Sequence, residues 1–368
     1  MYFLNFLKKV FIISLLFFNS LAHGQLDRSI QFNLMPGFLI AHREYMANME
    51  AHTLGFELIY SSNFTRWAQS DTNYRHLRWG TGISYFNLGD KQLNGDVYAW
   101  HIHVEANLKK RKHFQSTLRF GSGIGYLTKP YDLISNRKNK AIGSHLNGNI
   151  QLMYKAHFDV SNSLSLITGI GITHYSNGNF KRPNLGINLA HFVFGFNKKI
   201  KTYNQIDFKP LPKLFPDNGI EFNVGIANKE ISVADTRRFT IITTSLLHYF
   251  KYNETRNWRA GLDVYFDKTY PYFKFQPSSL DNVKLSKQTE IALKVGHEFI
   301  FGRLAIVSDL GTYLYRPNQY KKAVYFSIGF NYFFNKNINL QTRLKSHLAV
   351  ADYFQWNAGY RFKSPFYQ

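Results

Sequence analysis

An all-β fold is what this sequence predicts: a transmembrane antiparallel β-barrel of about 14 to 16 strands, with an eight-stranded barrel plus a second β unit as the alternative. Three observations point there. From Gln25 onward the chain falls into stretches of about ten to fourteen residues in which apolar and polar side chains alternate, the period-2 repeat of a strand. Phe, Tyr and Trp make up 17% of the chain, with 34 Phe and 24 Tyr, yet no stretch beyond the first residues reaches the ~18 apolar residues of a membrane helix. The connections alternate between short and long, as periplasmic turns and outer loops of an outer-membrane barrel do.

The elements follow in order. Met1 to Leu7, the pair Lys8-Lys9, the apolar run Val10 to Phe18 and the small residues ending at Ala22-His23-Gly24 read as a secretory signal peptide, residues 1–24, cleaved before Gln25. Strands are expected near 29–40, 52–62, 76–87, 97–108, 113–127, 146–158, 162–176 and 186–197, which form a first barrel half within 25–200. The stretch 201–218 carries Pro210, Pro212 and Pro216 and reads as a linker. The second half, 219–368, has strands expected near 219–228, 238–250, 257–267, 287–300, 303–315, 323–334, 337–346 and 351–363. It ends in the alternating aromatic stretch Trp356 to Phe362. The plan of His157 to Phe196, strand, turn, strand, Asn/Pro loop, strand, recurs from His297 to Phe334. Any two hairpins of a barrel share such a plan, so internal duplication stays open.

Composition removes several classes of function. With no Cys, disulfides, thiolate metal sites, a cysteine nucleophile and a lipid-attached N-terminal cysteine are excluded together. The net charge of +22 would suggest nucleic acid in a soluble protein. Export argues against that partner, and the cations sit mostly at segment ends (Lys109 to Lys112, Lys198 to Lys201, Lys321, Lys322) rather than in one patch. A membrane-embedded chain beside phosphorylated, anionic lipid suits that distribution better. No cofactor is called for. His101, His103 and Glu105 form a His-x-His-x-Glu row that could hold a metal, but they share one face of a strand and read as polar lumen lining. Gly121-Ser122-Gly123-Ile124-Gly125 lacks the strand-to-helix context of a nucleotide loop and reads as a strand.

The chemistry concentrates on 164–176. Its even positions, Leu164, Leu166, Thr168, Ile170, Ile172, His174 and Ser176, form the more apolar face and should meet lipid. A polar pair heading a lipid-facing stripe is costly unless it has partners or a use. Serine Oγ needs an imidazole to take its proton, and positions i and i+2 of a strand place the two side by side. His-x-Ser is nonetheless a common tripeptide, and polar residues are ordinary at a membrane interface, so spacing leaves both readings open. On the next strand Asn188, Ala190, Phe192, Phe194 and Phe196 repeat the pattern, an apolar stripe headed by one polar residue facing the side of His174 and Ser176.

His174-Tyr175-Ser176-Asn177-Gly178-Asn179-Phe180-Lys181-Arg182-Pro183-Asn184-Leu185-Gly186-Ile187-Asn188 resembles the signature of the lipid A 3-O-deacylase (PagL-type) family of outer-membrane esterases. The resemblance covers the His-Tyr-Ser-Asn core, the Pro-Asn pair and the Gly-Ile that follows. It implies an outer-membrane hydrolase acting on lipid A of the outer leaflet, with His174 as general base and Ser176 as nucleophile. Asn177 and Asn184 match family asparagines, whose amides suit an oxyanion. Apart from the resemblance, Lys181 and Arg182 in the loop beside the site read either as solvated loop charges or as contacts for lipid A phosphates. Where the family has a glutamate to orient the histidine, this chain has Asn188. An asparagine carbonyl can fix the imidazole tautomer but cannot stabilise an imidazolium by charge, which predicts a slower enzyme. A non-catalytic barrel, either a porin-like channel or a member inactive through Asn188, is the competing expectation.

Overall fold

The computed structural model describes residues 28–63, 77–201, 218–234, 237–253, 255–269, 284–301, 303–317, 322–347 and 350–363. The expected signal peptide and nearly all of the Pro-containing linker lie outside them. Among the described residues sixteen strands form: β1 (Arg28–Ile40), β2 (Ala51–Asn63), β3 (Leu77–Asn87), β4 (Asp96–Arg111), β5 (Phe114–Leu127), β6 (Leu146–Asp159), β7 (Leu164–Ser176), β8 (Ile187–Lys201), β9 (Asn218–Glu230), β10 (Arg238–Asn253), β11 (Arg256–Asp267), β12 (Thr289–Phe301), β13 (Leu304–Tyr315), β14 (Val324–Phe333), β15 (Ile338–His347) and β16 (Val350–Lys363). Each falls on a segment expected from alternation. The Gly121–Gly125 stretch lies inside β5, as read from the sequence.

The expected single barrel of 14 to 16 strands is corrected. β1 to β8 close one antiparallel barrel and β9 to β16 close another. In the first, β8 returns to β1 with Ile40 opposite Asn188 and Phe32 opposite Phe196. In the second, β16 returns to β9 with Trp356 opposite Ile226 and Phe362 opposite Ile220. Alternation records which face a side chain takes and is silent on which edge a strand joins, so counting strands could not separate one large barrel from two small ones. The structure is of the kind given above as the alternative, an eight-stranded barrel with a second β unit. The stretches compared for duplication also differ in place: His157 to Phe196 runs from the end of the sixth strand of the first barrel into its eighth, whereas His297 to Phe334 runs from the fourth strand of the second to just past its sixth.

An eight-stranded barrel is just wide enough for side chains to fill, and both lumens are filled. In the first, Arg119 donates to both carboxylate oxygens of Glu57 at 2.8 and 3.0 Å, and Asn33 donates to the same carboxylate at 2.7 Å. His101 lies 3.4 Å from Glu57, His103 faces Ser61 at 3.4 Å, and Glu105 pairs with Lys155. All three residues of the His-x-His-x-Glu row therefore line the lumen. In the second barrel Arg361 donates to both oxygens of Glu298 at 2.8 Å and also meets Glu221. Lys345 Nζ stands 3.1 Å above the ring centroid of Tyr265 and 4.5 Å from that of Tyr325. The outward positions carry the apolar surface, as lipid requires and as water would not. Ile170 is 58% exposed and Phe192 52%, and Phe222, Leu246, Val295, Leu310 and Trp356 are exposed likewise on the second barrel.

One end of the first barrel carries the connections 41–50, 88–95, 128–145 and 177–186. An apolar plug closes the lumen there. Met46 and Met49, from a short 3-10 helix at Glu44–Met49, pack with Met35, Phe86, Leu127, Tyr175 and Leu189. The opposite end has tight turns between Arg111 and Phe114 and between Asp159 and Leu164.

Candidate active site

The plugged end positions the side chains singled out by the sequence. β7 and β8 pair antiparallel with His174 opposite Asn188 and Tyr175 opposite Ile187. Tyr175 and Ile187 are buried in the lumen plug, so the pleat turns His174, Ser176 and Asn188 outward, at the head of the stripes formed by Ile172, Ile170 and Leu166 and by Phe192, Phe194 and Phe196.

The pairing brings imidazole and amide into contact: His174 Nδ1–H donates to Asn188 Oδ1 at 2.7 Å. Asn188 Nδ2 in turn meets Nδ1 of His42 at 3.0 Å, and His42 Nε2–H donates to the carbonyl of Leu185 at 3.1 Å. His42 went unnoticed in the sequence. It stands two residues past Ile40, the partner of Asn188 across the closing seam of β1 and β8, and only knowledge of that closure could have found it.

Ser176 is held by Asn184. The backbone N–H of Asn177 donates to Asn184 Oδ1 at 2.9 Å, which fixes the orientation of that amide, because a backbone N–H can only donate. The NH2 end of Asn184 then points at Ser176, with Nδ2 3.0 Å from Ser176 Oγ. Among the described bonds Ser176 Oγ pairs with Asn184 and not with His174. The side-chain amide of Asn177 donates to Ser144 Oγ at 2.7 Å, so its backbone, more than its side chain, serves the Ser176 cluster. Ser144 is a second residue the sequence did not flag.

Backbone bonds between two loops hold this arrangement. Ala141 O accepts from Leu185 N at 2.8 Å and Gly186 N at 3.1 Å, while Pro183 O accepts from Gly143 N at 2.7 Å. Gly186 has φ +85°, and a Cβ there would come within 2.4 Å of His174 Cε1. The glycine lets the imidazole come close to the loop, and a side chain would push it away. Lys181 and Arg182 belong to the segment Gly178–Arg182, which groups with the second unit of the chain. There the backbone N–H of Arg182 donates to Glu230 Oε2 at 2.9 Å.

A histidine with its Nδ1–H committed to a carbonyl keeps a lone pair on Nε2 for a proton. A serine beside a fixed amide donor has a group ready to stabilise an oxyanion. Residues 50–197 match the family described as lipid A 3-O-deacylase (PagL), and residues 218–364 match the acyloxyacyl hydrolase, C-terminal domain, family. The chain's first barrel belongs to the lipid A 3-O-deacylase family. The chain is an outer-membrane β-barrel protein, and that family is one of hydrolases. Among solved structures, the chain is similar to Neisserial surface protein A, at 6% identity and a TM-score of 0.35, covering 48% of this chain and 100% of that one. It is also similar to the outer membrane enzyme PagL, at 17% identity and a TM-score of 0.32, covering 46% of this chain and 99% of that one. A comparison with curated proteins finds no match.

Proposed function

We propose that this chain is a serine esterase that removes an ester-linked acyl chain from lipid A in the outer leaflet. The observation that carries the reading is the His174 Nδ1–Asn188 Oδ1 bond, formed on the lipid-facing wall two residues from a serine that an amide donor holds.

Ser176 Oγ attacks the ester carbonyl while His174 Nε2 takes its proton. Negative charge then develops on the carbonyl oxygen, and Asn184 Nδ2 is the donor nearest to it. Collapse breaks the ester C–O bond, His174 returns the proton to the departing sugar oxygen, and the acyl chain remains on Ser176. Water, deprotonated by the same imidazole, attacks the acyl carbonyl; the bond to Ser176 Oγ breaks, Oγ takes the proton back from His174, and the chain leaves as a fatty acid. Asn188 holds the tautomer through both steps but leaves the imidazolium without a neighbouring carboxylate, so turnover is slow for the family. Lys181 and Arg182 complete the reading as cations toward lipid A phosphates.

The test is fatty acid release from lipid A by the purified chain in detergent. Ser176→Ala and His174→Ala should each remove at least ~10³-fold of the rate, since members of such a unit fail together. Asn184→Ala should cost ~10²-fold, as loss of one oxyanion donor does. Undiminished release by Ser176→Ala would overturn the assignment.

A further inference from the structure

We infer that His42 is a positioning residue that sets which ring nitrogen of His174 is free to accept a proton, by fixing the direction of the Asn188 amide. This rests on the hydrolytic reading of His174 and Ser176. A carboxylate at position 188 would present an acceptor to His174 whichever way it turned. An amide does not: its two ends have nearly the same shape and opposite hydrogen-bonding character. Turned one way, Asn188 offers Oδ1 to His174 and holds the ring as the Nδ1–H tautomer, with Nε2 free. Turned the other way, it offers NH2, draws the lone pair to Nδ1 and leaves the proton on Nε2, where it cannot accept from a serine.

His42 decides between the two, and the decision traces to an atom that has no choice. The carbonyl of Leu185 only accepts, so His42 Nε2 carries a hydrogen toward it at 3.1 Å. In neutral His42 the lone pair is then on Nδ1, 3.0 Å from Asn188, and only the NH2 end of the amide can satisfy it. The carbonyl end is thereby turned to His174 Nδ1 at 2.7 Å. The chain of bonds runs from a backbone carbonyl through His42 and Asn188 to the base, across the seam where β1 meets β8. Leu185 is itself fixed through its N–H to Ala141 O at 2.8 Å.

The experiment is a double-mutant cycle on the full chain in detergent, pairing His42→Phe with Asn188→Glu and reading kcat and KM for lipid A hydrolysis. With Asn188 present, His42→Phe should lower kcat about tenfold with KM nearly unchanged, a coupling of ordinary size for residues in one network. With Asn188→Glu in place, where no orientation has to be chosen, His42→Phe should leave kcat within about twofold. His42→Gln, able both to accept from Asn188 and to donate to Leu185, should restore most of the rate. A second readout does not need turnover: the imidazole 15N resonances of His174, assigned by their loss in His174→Gln. They should report the Nδ1–H tautomer in the wild type and a mixture of tautomers in His42→Phe. Equal losses of kcat in both backgrounds, or an unchanged His174 tautomer in His42→Phe, would overturn the inference. An inactive wild type whose His174 tautomer still follows His42 would instead sink the esterase reading and leave the positioning role standing.

Discussion

At the scale of single residues, the site depends on groups that can bond in only one sense. Asn177 N–H can only donate and the Leu185 carbonyl can only accept, and these two atoms orient the amides of Asn184 and Asn188 on either side of the His-x-Ser pair. Gly186 has a different kind of necessity, since its φ of +85° and its closeness to His174 both exclude a side chain. Gly186→Ala should therefore cut lipid A hydrolysis by more than tenfold. Its direct stability cost should be ~1–2 kcal/mol, the strain of a non-glycine residue in the left-handed region. Hydrolysis rate and thermal unfolding of the purified variant check this together, and full activity in Gly186→Ala would show that the imidazole is not held as described. His174, Ser176, Asn184 and Asn188 were legible from the motif and from alternation. His42 and Ser144 were not, because they reach the site through strand closure and loop packing, which leave no periodic mark.

Strands carry their information in the pleat. Along β7 the even residues Leu166, Ile170 and Ile172 are exposed and apolar below His174, and the odd residues face the lumen, as the alternation of the sequence predicts. That pleat puts the polar pair on the lipid wall, and a one-residue slip of register would turn it into the lumen and Tyr175 out toward lipid. Ile170, near the middle of the stripe and 58% exposed, should be a sensitive reporter. Ile170→Lys should destabilise the inserted barrel by ~2–4 kcal/mol, as a cation at the bilayer midplane does. Denaturant unfolding in lipid vesicles measures it, and an unchanged midpoint would mean that this face does not meet hydrocarbon. What alternation could not supply was the partner of each edge strand. β1 pairs with β8 through Phe32 and Phe196, and these aromatic residues would have suited β16 equally well in composition.

For the molecule as a whole, two closures of eight strands replace one of sixteen, and this changes what the protein can do. A sixteen-stranded barrel leaves an aqueous channel, whereas these lumens hold the Arg119–Glu57 and Arg361–Glu298 pairs with their amide neighbours. The porin-like alternative loses its physical basis. The purified chain should therefore raise no ion conductance in planar bilayers, and stable single-channel steps would contradict the filled lumens. Breaking the second barrel's buried pair by Arg361→Ala should cost ~3–5 kcal/mol of that barrel's stability, because uncompensated carboxylates remain inside. Protease resistance of each barrel in turn would show whether the first stays intact, as its own closed sheet predicts. The central claim remains the acyl transfer at Ser176, and the mass of lipid A in cells tests it most directly. Outer membranes of cells expressing the wild-type chain should contain lipid A lighter by one acyl chain, with Asn188→Glu raising the converted fraction and Ser176→Ala abolishing it while still inserting. Lipid A of unchanged mass with both the wild type and Asn188→Glu correctly inserted would contradict the account.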